Sequence, residues 1–239
     1  MQKYKFTGET KEVYGRTLHQ IVCVTAFASV AAGEVGGYIE KEVNLSQDGN
    51  AWVSGNAKVS GDAKVFGDAE VFGNAKVCGN AKVCGDAKVS GDAEVFGDAK
   101  VFGDAEVSGD AKVFGDAEVF GNAKVFGDAE VFGDAKVFGD AEVSGDAEVF
   151  GNAILRRGST ETATDYIVIG PQGSRRSFAT LHLPSNTVCT GCFVGNLNEF
   201  KKAVYKNHNP DQGRVTFNNQ YQRVIRVFEF LQEQDKDAQ

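Results

Sequence analysis

A chain of 239 residues has room for one or two domains. Its 29 Gly against 3 Pro, with no Gly-x-y triplet, exclude a collagen-like chain. Residues 1–50 hold 5 basic and 6 acidic side chains, residues 51–154 hold 9 and 19, and residues 155–239 hold 11 and 8. The acidic middle repels phosphates, so direct nucleic-acid binding there is not expected, whereas the basic end suits anions.

Residues 1–50 read as an N-terminal β cap. KYKFTGETKEVYGRTLHQIVCVTAF followed by GGYIEKEVNLSQDGNAWV predicts a strand hairpin feeding a first coil, with turns at Gly36–Gly37 and Asp48–Gly49. The stretch Ile21 to Ala32 ends like a signal peptide. It starts late, however, follows Glu9 and Glu12, and at about 12 apolar residues is too short to span a bilayer. A buried strand is expected there, and no membrane segment. Five Cys at unpatterned spacings suggest no disulfide framework, which points to a reducing cytoplasm.

From Val53 to Val149 a Val recurs at every sixth residue, 17 times without a gap. Each hexad reads V-[FSC]-G-[DN]-A-[KE]. A Gly in every hexad is incompatible with a helix, at about 1 kcal/mol each against Ala. Ala and Val stand two apart with Lys or Glu between them, a short strand facing one core. The Gly-Asp or Gly-Asn that follows is turn chemistry. A short strand and a corner, repeated, make a solenoid over residues 51–154.

This hexad resembles the hexapeptide repeat of left-handed β-helix proteins. The resemblance implies a mainly β fold, a triangular prism of about five to six turns of 18 residues, with a left hand. At about 4.8 Å per rung, such a rod is about 27 Å long. Stacking at 18 residues puts Glu70, Lys88, Glu106, Lys124 and Glu142 on one face with alternating sign, as cross-strand pairing favours. It also builds two aromatic columns, Phe96, Phe114, Phe132, Phe150 and Phe102, Phe120, Phe138, beside a mostly Ser column. These rings either stiffen the coil or form an oligomer or partner interface. Columns of Asp such as Asp92, Asp110, Asp128 and Asp146 serve local turn bonding. A calcium ladder is disfavoured because the nonapeptide period and double Gly are absent. Trp52 takes the Lys/Glu slot of the first hexad and is expected to cover the first rung.

After Asn152 the beat stops. Ile154 to Asp165 reads as an exit linker into a small α+β domain over residues 155–239. YIVIGPQG, SFATLHLP and TVCTGCFVG predict three strands. An approximate capping box at Asn196–Glu199 opens a helix to about Asn207, and a second runs from about Asn219 to Glu233 with Val224, Val227, Phe228 and Leu231 on one face. The whole arrangement resembles uncharacterised hexad-rod proteins of phages and prophages, which implies an origin but no activity.

Enzymes sharing the prism, the hexapeptide acyltransferases and γ-type carbonic anhydrases, use His on the coils. Here His19, His182 and His208 all lie outside Val53–Val149, so no catalytic residue, cofactor or metal is expected on the rod. Cys189-x-x-Cys192 reads as packing, since a Zn²⁺ site would need two more ligands and redox chemistry a helix start. The one anion-binding candidate is Gly173, Ser174, Arg175 and Arg176 after a strand, with Arg156 and Arg157 as a second basic pair.

Three expectations follow. The first is a non-catalytic binding or scaffold protein of phage or prophage origin, a homo-oligomer through the rod or C-terminal domain, engaging a host macromolecule such as a protein and extending to inhibition of a bacterial defence component. The second is a sink for a nucleotide or other phosphate, and the third a diverged acyltransferase using His from the flanking domains.

Overall fold

In the computed structural model, the chain is described for residues 2–161, 165–172, 177–208 and 215–237. The hexads form two-residue strands such as Lys58–Val59 and Lys76–Val77, stacked in parallel at an 18-residue spacing into a β-solenoid. Backbone N–H groups at the Lys or Glu, post-Val and Asp or Asn positions donate to carbonyls of the following coil, as from Lys88 to Ala105 at 2.9 Å. Every repeat Ala and Val points inward and is buried, giving one unbroken core along the rod. Each buried Val contributes about 1.5–3 kcal/mol, an upper bound on burial from an extended chain.

The corners explain the invariant Gly. Gly97 has φ 73°, and a Cβ there would stand 2.9 Å from the nitrogen of Gly115 in the next coil. Both the left-handed conformation and the close stacking therefore demand Gly. The sides form three faces. Two of them join in one 11-stranded sheet because Lys136–Val143 runs unbroken through a corner.

Each face has seven rungs, one more than the upper sequence expectation. The first coil uses Ile39, Leu45 and Val53, paired with Val59, Val65 and Val71. The last uses Leu155 and Thr160 in the strand Ile154–Thr160, paired with Val137 and Val143. The expected exit linker thus begins as a strand of the rod: Leu155 replaces Val and fills the same inward site. A shift in register between Val137 and Asp140 accommodates Arg156–Arg157 where a Gly corner would stand.

At the N-terminus, Tyr4–Val13, Arg16–Cys23 and Val35–Ile39 form an antiparallel meander whose last strand joins a rod face. The hairpin turn is at Tyr14–Gly15 rather than Gly36–Gly37, which lie inside the third strand. Those two Gly are needed for close packing: a Cβ on Gly36 would sit 2.6 Å from Ile21 Cγ1, and one on Gly37 2.7 Å from the Ala57 carbonyl. Trp52 is itself part of the first rung of its face, where it is buried and meets Phe27 edge-on at 5.7 Å.

Side chains close both ends. Lys3 Nζ donates to the carbonyls of Ala51 at 2.9 Å and Gly49 at 3.4 Å, and Asn44 Nδ2 to those of Ala63 at 2.8 Å and Gly61 at 3.1 Å. At the other end the Tyr166 hydroxyl accepts from Phe150 N at 3.0 Å and donates to the Glu148 carbonyl at 2.9 Å. Thr180 Oγ1 accepts from Ile154 N at 3.0 Å.

The C-terminal part has four antiparallel strands rather than three: Tyr166–Gln172, Ser177–His182, Thr187–Thr190 and Phe193–Asn196. TVCTGCFVG is a hairpin of two strands turned at Gly191–Cys192, where Gly191 takes φ 53°. Helix α1 spans Leu197–Asn207 with Asn196 and Glu199 closing the expected capping box. Helix α2 spans Val215–Asp237, longer than expected at both ends. Its inward face is Tyr221, Val224, Ile225 and Phe228, while Val227 is exposed. These residues pack with Leu181, Val188, Leu197 and Phe200 into a second core. Among the described residues no helix is long and apolar enough to cross a membrane.

Candidate functional site

The C-terminal helices and the Gly191 hairpin enclose an open cavity of about 480 Å³. The capping box fixes the start of α1: Asn196 Oδ1 accepts from Glu199 N at 2.9 Å, and Glu199 Oε2 accepts from Asn196 N at 2.8 Å. That start sets the helical phase and turns Phe200 and Val204 inward. At its other end Asn218 Nδ2 of α2 donates to the His208 carbonyl at 2.9 Å, tying the two helices together.

Aromatic rings form the cavity walls. Phe193 and Phe200 lie 5.3 Å apart, Phe200 meets Tyr221 edge-on at 5.9 Å, and Tyr221 stacks on His208 at 5.0 Å. Ser177, Thr190 and Asn207 add hydroxyl and amide groups to the lining. A few polar groups on an aromatic wall suit a flat ring held by stacking and oriented by hydrogen bonds. The cavity lies within the usual range for small-ligand sites, about 300–1,000 Å³.

Sequence reasoning passed over this group because its rings come from a strand, α1 and α2, with no shared spacing. The one local signal was the Cys-x-x-Cys hairpin. Cys189 is buried among packed strands, and burial pushes its thiol up to about 11 against the opposing pull of Arg156 and Arg157. Cys192 lies on the exposed turn and lines the cavity. The pair thus falls on two different surfaces of one hairpin.

Gly173, Ser174, Arg175 and Arg176 lie outside the described residues, directly ahead of Ser177 in the chain. Arg156 and Arg157 are exposed on the last rung of the rod. Arg156 stands 6.0 Å over the ring of Phe138 and closes that aromatic column. The two predicted columns are stacks. Phe102, Phe120 and Phe138 lie 4.7 and 4.8 Å apart, and Phe96, Phe114 and Phe132 lie 4.9 Å apart, all within 4° of parallel. Phe150 continues the second stack at 5.5 Å and meets Tyr166 edge-on. Six of the seven rings are half-buried and only Phe150 is exposed, so ring faces cover one another and edges face outward.

Each of the three His is engaged. His19 stacks on Phe6 at 4.8 Å, and His208 on Tyr221. His182 is buried, with Nε2 3.2 Å from the Ser159 carbonyl and Nδ1 2.6 Å from Ser185 Oγ. The carbonyl can only accept, so Nε2 carries the proton and Nδ1 is the acceptor. Burial lowers the His182 pKa and keeps the ring neutral at neutral pH. His182 therefore pins the last rung to the C-terminal sheet.

Along the corners, Asn80 donates to Asp98 and Asn122 to Asp140, both at 3.0 Å. Among the described residues no group of three or more His, Cys, Asp or Glu side chains is close enough to hold a metal ion. No protein-family model matches this chain, and no curated protein matches it.

Proposed function

We propose that this is a non-catalytic binding protein, in which a rigid rod carries a C-terminal domain that recognises a host macromolecule. One contrast carries the reading. The rod is filled with Ala and Val and closed at both ends, whereas the C-terminal part holds an open, aromatic-lined cavity. The engagement of all three His in stacks or structural hydrogen bonds supports a role without catalysis.

The resemblance to phage and prophage hexad rods supports a phage origin and residence in the host bacterial cytoplasm. It extends the reading to inhibition of a bacterial defence component, with the Asp corners imitating nucleic-acid charge. Capture from bacterial lysate tests this when run beside a variant with Asp92, Asp110, Asp128 and Asp146 changed to Asn. The variant is expected to lose the partner, as is the native protein at high salt. A partner retained under both conditions overturns charge mimicry. The outward edges of the Phe stacks make the rod the first surface to test for self-association, by sedimentation of native and Phe150→Ser proteins.

The cavity favours a second reading, sequestration of a nucleotide or other phosphate compound. Aromatic walls suit a base, and Arg175 and Arg176 precede the cavity residue Ser177. Ligand-induced thermal stabilisation is expected to vanish in Tyr221→Ala and in the double variant Arg175→Ala, Arg176→Ala. Unchanged shifts in both would remove this reading.

A further inference from the structure

At the first-coil end of the rod, a cleft of about 500 Å³ opens between the loop after Phe27 and the face that carries Trp52 and Glu70. Its walls gather four carboxylates, Glu34, Asp68, Glu70 and Asp86, with the rings of Trp52 and Phe72. No Lys or Arg lines it, and among the described residues none forms an ion pair with these four. Among the described residues, backbone N–H groups occupy two of the carboxylate oxygens: Asn50 N donates to Asp68 Oδ1 and Ala31 N to Glu34 Oε2, both at 3.1 Å. The acids are also too dispersed to share one metal ion. Such a concentration of carboxylates without an ion pair, beside aromatic faces, suits an organic cation.

A second observation is independent of the charge. Trp52 is 5 % exposed, and its indole N–H has no hydrogen-bond partner. A buried donor left unsatisfied weakens the closed form, so an acceptor reaching it gains more than an ordinary hydrogen bond. The loop beside it is under tension too: Ala28, which lines the cleft, takes φ 43°, in the left-handed region that a Cβ disfavours.

We propose that this cleft binds a basic peptide segment. A Lys or Arg side chain enters among Glu34, Asp68, Glu70 and Asp86 and lies against Trp52 and Phe72. The tip at Ala28–Ser29 shifts, and the peptide's own carbonyl accepts the Trp52 N–H. A peptide fits better than a polyamine because the site asks for a cation and an acceptor side by side, and a protonated polyamine carries no acceptor. The site is remote from the C-terminal cavity in the chain and does not depend on the reading of that cavity.

Trp52 is the only Trp, so its fluorescence reports on this cleft alone. The probe is acetyl-Gly-Arg-Gly-amide, compared with the same tripeptide bearing Glu in place of Arg and with spermidine. A saturable change is expected with the Arg peptide only, weakened as salt rises from about 0.05 to about 0.5 M. Glu70→Gln and Asp86→Asn, both exposed, are each expected to weaken binding about tenfold. Trp52→Phe keeps the aromatic face without the donor, and calorimetry is expected to show a similar loss. Absence of a saturable signal, indifference to both acid-to-amide changes, or spermidine binding as tightly as the peptide would each overturn the proposal.

Discussion

At the N-terminal end of the rod the side-chain caps reach backbone carbonyls, whereas at the C-terminal end they reach two backbone N–H groups and one carbonyl. The N–H groups at the Lys or Glu, post-Val and Asp or Asn positions donate to the next coil, so the Ala and Gly carbonyls that would receive them lack backbone donors at the first rung, and the forward-facing N–H groups lack backbone acceptors at the last. The caps follow this polarity. Lys3 Nζ and Asn44 Nδ2 bring donors to one end, while Tyr166 Oη and Thr180 Oγ1 bring acceptors to the other. Buried backbone groups must be paired, and an open sheet edge invites further strands. The capping side chains therefore close the rod against further strand addition at either end.

The largest expected effect lies at the donor end and depends on pH. Burial lowers the Lys3 ammonium to about 8, against an ordinary value of 10.5. Between these values the unfolded chain binds more protons than the folded one, so stability rises with pH across that window. The neutral amine still has two N–H groups for Gly49 and Ala51, so the cap survives deprotonation. The gain is on the order of 3 kcal/mol by pH 10.5. Tyr4, whose hydroxyl donates to the Leu45 carbonyl, works in the opposite sense. Burial raises its pKa above 10, so its contribution is complete below pH 10 and is lost as the phenol ionises at higher pH. Denaturant unfolding from pH 7 to 11 is expected to show a rise up to about pH 9, where the raised Cys189 thiol begins to offset the gain, and then a fall, and Lys3→Met a curve without the rise. A Lys3→Met curve parallel to that of the native protein would remove Lys3 as the cause.

Tyr166→Phe tests the acceptor end. It leaves Phe150 N without an acceptor and the Glu148 carbonyl without a donor while keeping the ring, at a cost of about 2 kcal/mol. Thr180→Val removes one partner, that of Ile154 N, and is expected to cost about 1 kcal/mol. Both changes are read as shifts in the chemical denaturation midpoint. An effect of Tyr166→Phe no larger than that of Thr180→Val would mean that water replaces the hydroxyl at that end.

The contrast between rod and ends also explains what was legible in the sequence. Val at every sixth position announced the strands and corners, and the 18-residue turn implied by the resemblance added the three faces and Phe stacks, because in a solenoid spacing along the chain is spacing in space. The first and last coils were hidden because Ile39, Leu45, Leu155 and Thr160 fill inward sites without the hexad letters. The caps were hidden for another reason: Lys3 lies 48 residues from Ala51 in sequence, beyond any local pattern. The same holds for the C-terminal cavity, where Phe193, His208 and Tyr221 meet only through the packing of a hairpin against two helices. Helix α1 was legible to its boundaries because its capping box is local.

Along the sides of the rod, strict alternation of charge proves a poor guide to pairing. The face with Glu70, Lys88, Glu106, Lys124 and Glu142 has opposite charges in register, yet no ion pair forms among them. The pairs lie on the less regular faces, as Lys76–Glu94 at 2.6 Å and Lys112–Glu130 at 2.7 Å. Glu118 meets both Lys100 and Lys136 at 2.8 Å, and hydrogen bonds from those two ammonium groups, Lys100 foremost, hold its carboxyl below the ordinary value of 4.5. Its contribution is complete above pH 4.5 and fades as the pH falls through the lower folded value. Partly exposed pairs are screened, so Glu118→Gln is expected to cost only about 0.5 kcal/mol, less in high salt. That places it well below either end-cap substitution, although Glu118 forms two ion pairs. A midpoint shift as large as that of Tyr166→Phe would break the contrast, because rod stability would then depend on its charged sides as much as on its closed ends.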